Sequence, residues 1–549
     1  MTHPSILFEE RLGSNCLVVV IPQYSGHMRL MKGVIASIRN VVPNGDILQI
    51  PYRGGLRNTD PNLIADRIVD EINNAVQNRG ASPYKEIILV GYSFGALLAR
   101  KAYLIASGAA SDVSTIGRRA ALPWHGQVSR IVLLAGFCRG WSGCIERPEN
   151  CSIFWYTILL ALLLIARVFH FGKLIRSALA GTPFVANLRA DWLSLEKPPT
   201  TVQLLGDRDD VVSERDHIDL EAGRHFVYIR LPSGTNHLGT VNFRGEEGER
   251  RRKVFERAIA KPIEDLPSEY EFMEGKSPRS DVKHVVFVMH GIRDFGRWQR
   301  PLAEAIQNEC GTAVETVIAD YGYMPMLPFL ILSERQKNVR WFMDRYIEVK
   351  ALYPRARISY FGHSNGTYLL ASALERYSSC RVDRVVFAGS VVKTKYDWDG
   401  LVNAGRVGAI RNYVATGDVV VGIFPAIFER WGGDLGAGGF LGFTSAEAKR
   451  FQVEFIDGGH SAALNRENFG AISSFINGKT DNLCKQLQRE KQNGFCLLAC
   501  KFCEFWWLVL IAVIVVVGLG IIFPFNSIPD RIIVAGCYVV LLIFAAYRL

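Results

Sequence analysis

Apolar residues in this chain come in short unbroken runs, and several of those runs are followed by a stretch with the period of a helix. "EIILV", "RIVLLAGF", "TTVQLLG" and "HFVYIRL" in the first half, then "HVVFVM", "RISYFG", "RVVFAGSVV", "RNYVATG" and "FQVEFI" in the second, are mostly rich in Val, Ile and Leu. A strand with one wet face alternates apolar and polar residues, whereas unbroken runs of this length belong to strands covered on both faces, as in a parallel sheet. "ALLARKAYLI" and "TYLLASAL", each shortly after such a run, carry helical spacing. The pattern predicts an α/β fold with a mostly parallel sheet, met twice along the chain. At the start, "MTHPSILFEERLGSNCLVVVIPQ" has an acidic pair ahead of its apolar run and no basic segment, so it reads as a first strand and not a signal peptide.

Three apolar runs are longer than a strand. Phe505 to Phe525, "FWWLVLIAVIVVVGLGIIFPF", holds no charge over about 21 residues, enough to cross a hydrocarbon core as a helix. After "NSIPDR", a second run of about 16 uncharged residues at 532–547 completes an expected transmembrane hairpin, with Trp506 and Trp507 at the interface. Basic residues gather before the hairpin in "CKQLQREKQNG" and Lys501, and Arg548 follows it. The positive-inside bias therefore puts both ends and the soluble part on the cytoplasmic side. The third run, "SIFWYTILLALLLIA" from Ser152 to Ala166, is shorter than a span and reads as an interfacial helix or a buried lid.

Composition changes the picture in three respects. At 549 residues the chain is too long for one ordinary core. Its net charge of +10 suits an anionic membrane surface, and no nucleic-acid motif accompanies it. Eleven cysteines without framework spacing indicate reduced thiols, and Cys496, Cys500 and Cys503 before the apolar hairpin read either as interfacial thiols or as acylation sites, no fourth ligand being spaced for a metal. No metal-ligand series, phosphate loop or cofactor motif is present.

The candidate chemistry lies where strand turns to helix. Ser93 stands between Gly91 and Gly95, and Ser364 between Gly362 and Gly366, each at a strand-to-helix junction. Glycines there allow a sharp turn that aims a hydroxyl outward at the carboxyl edge of the sheet. Such a serine needs a base to take its proton and a carboxylate to orient that base, in the order Ser, Asp, His on later strand ends. After Ser93 come Asp209, past the strand ending at Gly206 and in competition with Asp207 and Asp210, and His237 in "PSGTNHLGTV". After Ser364 come Asp418, before a Val triplet, and His460, past "FQVEFIDGG".

These two ordered series resemble the α/β-hydrolase superfamily, of the serine lipase and esterase type, over about residues 15–260 and again 283–478. The resemblance implies tandem domains, each a mostly parallel sheet of about eight strands with helices on both faces: residues 1–262 with an apolar lid insertion at about 138–181, a linker at 263–281, a second domain at 282–480, and a juxtamembrane segment with the transmembrane hairpin at 481–549. It implies hydrolysis or transfer of an acyl group through an acyl-enzyme. Ser364 and Ser93 are then the nucleophiles, His460 and His237 the bases, Asp418 and Asp209 their orienters. Backbone amides of Asn365 and Ile292 in one copy, and of Phe94 and Tyr24 in the other, form the oxyanion sites. Where the second copy has "MHGIRD" the first has "IPQYSG", without the His-Gly pair, so the first is the copy whose oxyanion geometry departs from the family. His290 is expected to hold its loop, and His363 to point away without a role. "YGYMPMLPFLIL", Tyr321 to Leu332, is expected as an apolar loop. The leading expectation is a membrane-anchored hydrolase of lipid or acyl esters. The alternatives are a thioesterase or acyltransferase with the same triad, and a non-catalytic membrane scaffold of degenerate hydrolase folds.

Overall fold

Alternation along two neighbouring strands builds the first core. Leu17, Val19 and Ile21 of the strand Cys16–Ile21 and Ile87 and Leu89 of the strand Glu86–Tyr92 point to one side of the sheet, and Val18, Val20, Ile88 and Val90 to the other; all are buried. Both faces are therefore covered, which is what unbroken apolar runs require. The computed structural model describes residues 5–55, 59–79, 83–112, 120–142, 152–154, 157, 161, 172–219, 226–266, 278–294, 296–444, 451–479, 494–522, 524 and 527–548.

The chain divides into two units, one of Met1–Pro278 with Asp344–Pro354 and Tyr377–Ser379, the other of Arg279–Met343 with Arg355–Arg376 and Cys380–Leu549. The first holds β1 (Leu7–Glu9), β2 (Cys16–Ile21), β3 (Asp46–Gln49), β4 (Glu86–Tyr92), β5 (Val128–Leu134), β6 (Thr200–Leu205) and β7 (Phe226–Arg230). They form one seven-stranded sheet in the order β1-β3-β2-β4-β5-β6-β7, parallel except where β1 meets β3. The second unit holds β8 (His284–Met289), β9 (Val314–Ala319), β10 (Arg357–His363), β11 (Val382–Ala388), β12 (Val407–Ala415) and β13 (Phe451–Ile456), a six-stranded sheet in the order β13-β12-β11-β10-β8-β9, parallel throughout. Seven and six described strands replace the eight expected of each. In both units the chain runs from one strand to the neighbour on one side and returns on its other side, β2 to β3 and back to β4, β8 to β9 and back to β10. That reversal opens a crevice at the carboxyl ends of β4 and β10.

Two other expectations change. "YGYMPMLPFLIL" is a loop only over Tyr321–Pro325: Met326–Leu330 is a short helix entered from Pro325, and a further helix starts at Leu332, since prolines at a helix entry cost no ladder hydrogen bond. At the C-terminal end two helices form, Cys503–Ile522 and Ile528–Arg548, but among the described residues no helix is long and apolar enough to cross a membrane. The expected transmembrane hairpin is therefore not found there. Cys496, Cys500 and Cys503 are buried and unbridged. Most of the expected lid at 138–181 and of the expected linker at 263–281 falls outside the described residues.

Close packing at the strand-to-helix turn of the first unit leaves no space for a side chain. A Cβ on Gly95 would stand 2.5 Å from the carbonyl oxygens of both Ile21 and Pro22, whereas one on Gly126 would meet nothing within 4 Å. Gly95→Ala should therefore cost about 1–3 kcal/mol by overpacking, read as a lowered midpoint in denaturant unfolding. Gly126→Ala should leave the midpoint close to that of the parent, and equal midpoints for both variants contradict the packing assigned to this turn.

Candidate functional site

Each candidate serine occupies a backbone conformation that side chains rarely adopt. Ser93 has φ 54° and ψ −118°, and Ser364 has φ 52°. Non-glycine residues are held there only when their surroundings over-determine them. Here the Ser93 N–H donates to Leu134 O of β5 at 2.8 Å and the Ser364 N–H to Ala388 O of β11 at 3.0 Å, while the helices Phe94–Ala106 and Asn365–Arg376 begin at the next residue. Strand, turn and helix together fix the hydroxyl at the carboxyl edge of the sheet.

In the first unit the three singled-out side chains come together. His237 Nε2 lies 3.0 Å from Ser93 Oγ, and His237 Nδ1 lies 2.8 Å from Asp209 Oδ2. Asp209 Oδ1 accepts the N–H groups of Val211 at 2.9 Å and Val212 at 2.8 Å, so the turn after β6 grips the carboxylate. The competing aspartates do other work. Asp207 accepts from the backbone of Gly234 and Thr235 and from Ser233 Oγ, closing the loop that carries His237, and Asp210 Oδ1 accepts the His237 N–H at 3.3 Å. Tyr92 packs its ring 5.4 Å from that of His237 and donates its hydroxyl to His237 O at 3.2 Å. Ser93, Asp209 and His237 are all buried.

Sequence reasoning missed a fourth member. His217 Nε2 lies 3.1 Å from the same Asp209 Oδ2, and His217 Nδ1 lies 2.9 Å from Gly136 O. A lone histidine at the end of "SERDH" gives no signal of this in one dimension; only the turn after β6, folding the four-residue helix Glu214–His217 back beneath Asp209, creates it. Burial works against the Asp209 charge, yet the Coulomb pull of His237 and the hydrogen bonds from both histidines hold its carboxyl well below the ordinary range.

The second unit assembles less completely. His460 Nδ1 lies 2.8 Å from Asp418 Oδ2, and Asp418 Oδ1 caps the helix Val419–Arg430 by accepting the Val421 N–H at 3.0 Å. Among the described residues, His460 makes no hydrogen bond to Ser364. Its ring instead lies over Gly389, where an added Cβ would come within 2.7 Å of His460 Cε1, and 4.8 Å from the ring of His363. His363, expected to point away, is buried between Asp294 and His460: its Nε2 lies 3.3 Å from His460 O and its Nδ1 3.7 Å from Asp294 Oδ2. Burial lowers the pKa of this imidazole. His290 Nε2 meets Asp320 Oδ1 at 3.0 Å and stacks on Tyr321 with ring centroids 4.4 Å apart.

The expected amide donors lie at comparable places in the two units. Phe94 and Asn365 are the first residues of the helices that follow the serines, where N–H groups have no ladder partner. An added Cβ on Gly95 would meet Ile21 O and Pro22 O, and one on Gly366 would meet Met289 O and His290 O. Each helix thus abuts the end of the neighbouring strand in the same manner, which sets Tyr24 in register with Ile292; both are half-buried. Tyr24 is anchored by its hydroxyl, which donates to Gly55 O at 2.6 Å. Around the first elbow, Phe94 packs against Tyr24, Phe137 and Phe184. Among the described residues no group of acidic, cysteine or histidine side chains is arranged to hold a metal ion.

No family model and no curated protein matches the chain. Solved structures do. A carboxyl esterase from the mycorrhizal fungus Tuber melanosporum is 12% identical, with 47% of this chain and 80% of that chain covered and a TM-score of 0.34. A monoacylglycerol lipase from Paleococcus ferrophilus is 12% identical over 47% of this chain and 99% of its own, with a TM-score of 0.29. A lidless α/β serine hydrolase from Xanthomonas campestris is 13% identical over 48% and 90%, with a TM-score of 0.26.

The depressed Asp209 carboxyl makes stability depend on pH. Its folded value lies below the unfolded value of about 3.9, so its contribution is complete above that pH and is lost as pH falls through the folded value. The Tm difference between the parent chain and Asp209→Asn should therefore shrink between pH 5 and pH 3. A difference that stays constant across that interval contradicts an ionised, histidine-held Asp209.

Proposed function

We propose that the chain is a serine hydrolase of the α/β-hydrolase type that cleaves carboxylic esters of acyl groups, with Ser93, His237 and Asp209 as its working triad. The observation that carries this reading is the unbroken line of hydrogen bonds from Ser93 Oγ through the His237 ring to Asp209, at 3.0 and 2.8 Å. In the reaction Ser93 Oγ attacks the ester carbonyl carbon while its proton passes to His237 Nε2. Asp209 holds the ring by Nδ1 and stabilises the imidazolium that forms. The carbonyl oxygen gains negative charge and is met by the N–H groups of Phe94 and Tyr24; each such donor lowers the barrier by about 3 kcal/mol. His237 then gives its proton to the departing alkoxide, leaving an acyl-serine. A water molecule, deprotonated by the same nitrogen, releases the acid and regenerates Ser93.

The second unit is proposed as a slower site with Ser364, Asp418 and His460 in the same roles and Asn365 and Ile292 as amide donors. Its His460–Asp418 pair is present, but the imidazole has to swing from Gly389 before it reaches Ser364. This observation also favours, for that unit alone, the reading of an accessory domain.

Lipid esters are the substrate class proposed, and a membrane surface the place of action, with the two units facing the cytoplasm. What supports the membrane part is apolar surface: Leu508, Val513, Val516 and Leu519 on one C-terminal helix, and Ile532, Ile533 and Leu541 on the other, are all more than half exposed. Soluble chains rarely leave such a patch uncovered.

Turnover of p-nitrophenyl esters by three chains tests the assignment. Ser93→Ala should lower kcat by a factor of about 10³ or more, and Ser364→Ala should leave most of the activity. Loss in Ser364→Ala alone would transfer the principal site to the second unit, and equal losses in the two variants would contradict a principal site in the first.

A further inference from the structure

Asp209 is shared between two imidazoles, and only one of them faces the serine. His237 Nδ1 and His217 Nε2 both converge on Oδ2, at 2.8 and 3.1 Å. The other nitrogen of His217 is also committed, since Nδ1 lies 2.9 Å from Gly136 O. A backbone carbonyl and a carboxylate offer lone pairs and no proton, so a ring that bonds to both must donate from both nitrogens. Gln203 Nε2 donates to that same carbonyl at 2.6 Å, which leaves Gly136 O no other part than acceptor. His217 is 1% exposed, so bulk solvent does not compete with either partner.

We propose that His217 is a doubly protonated imidazolium that balances the charge of Asp209 and so positions the carboxylate and tunes the basicity of His237. This rests on the reading of Ser93, His237 and Asp209 as the working triad. With four donors around it, the Asp209 carboxylate stays ionised and cannot turn away from His237. The fixed positive charge acts in the opposite sense on the base. It repels the His237 imidazolium across their shared oxygen and keeps His237 ready to accept a proton at lower pH than an aspartate alone would allow. Among the described residues the other titratable groups facing the pair are Asp210, whose Oδ1 accepts the His237 N–H, Asp216, held by the N–H and Oγ of Ser142 and raised by burial, and Tyr92 of β4, packed on the His237 ring and raised by burial so that it stays neutral. The two aspartates lie on the same turn as Asp209 and His217, and all three groups are common to every variant below. His217 is thus a positioning residue, since it touches Asp209 and never the reacting atoms. Among the described residues the second unit has no equivalent: Asp418 accepts from His460 and the Val421 N–H alone.

The test is the pH profile of kcat/KM for p-nitrophenyl acetate on the full chain in the Ser364→Ala background, with and without His217→Gln. Glutamine keeps one N–H for Asp209 and removes the charge. The acid limb should move upward by about one pH unit, with the plateau retained within about tenfold; an unmoved acid limb overturns the proposal, whatever happens to the plateau. Proton-nitrogen spectra of the full chain with ¹⁵N-histidine give a second readout, independent of activity and of whether the variant folds. Two protonated nitrogens on His217 at pH 8 uphold the proposal, and a bare ring nitrogen overturns it. Should the parent chain not hydrolyse the ester, the triad reading fails first, and these spectra decide the charge of His217 by themselves.

Discussion

Everything at the first site depends on a single strained residue. Ser93 holds φ 54°, a region in which a side chain costs about 1–3 kcal/mol, and it stays there because three neighbours leave no alternative. Its N–H is pinned to β5, the following helix presses against the ends of β2 through Gly95, and the Cβ-free Gly91 lets that helix close on β4. Release any of these and the hydroxyl leaves the edge of the sheet where β6 and β7 deliver Asp209 and His237. The strain is the means by which a parallel sheet presents an oxygen atom in the crevice opened by its own topology.

The same device is built twice, and the two differ in what surrounds it. In the second unit the serine is equally strained, but His460 rests over Gly389 beside His363 and does not reach Ser364. In the first unit Ala135 occupies the position after β5 that Gly389 occupies after β11, also with positive φ, and His237 is steadied by the face of Tyr92 instead. The His-Gly pair after β8 therefore goes with the less assembled triad, and "IPQYSG" after β2 with the more assembled one. A loop motif of this kind bears on the proposed oxyanion site, and nothing in it constrains the proposed base.

Much of this was legible in one dimension. Unbroken apolar runs fixed which strands are covered on both faces, because burial on two sides is a property of every residue in the run. The glycines flanking Ser93 and Ser364 marked the turns, since only a missing Cβ admits such contacts, and the order of aspartate and histidine followed from the topology. What was not legible depends on contacts distant in sequence. His217 reaches Asp209 only once the turn after β6 has folded back. His363 faces inward because Asp294 and His460 approach it from two separate loops. The helix from Met326 was hidden by prolines that read as loop punctuation yet stand where helices tolerate them. The C-terminal apolar runs read as membrane spans by hydropathy alone; they do form helices, Cys503–Ile522 and Ile528–Arg548, but among the described residues no span is found.

The central claim is that the first unit holds a serine whose base is already in place. Peptide mapping after brief exposure of the full chain to a fluorophosphonate tests it most directly, because phosphonylation requires a serine activated by an aligned base and no knowledge of the substrate. The account predicts a label on Ser93, acquired faster than any on Ser364 and lost when His237 is replaced by Ala. A chain that labels only at Ser364, or at neither serine while a control hydrolase reacts, would contradict it.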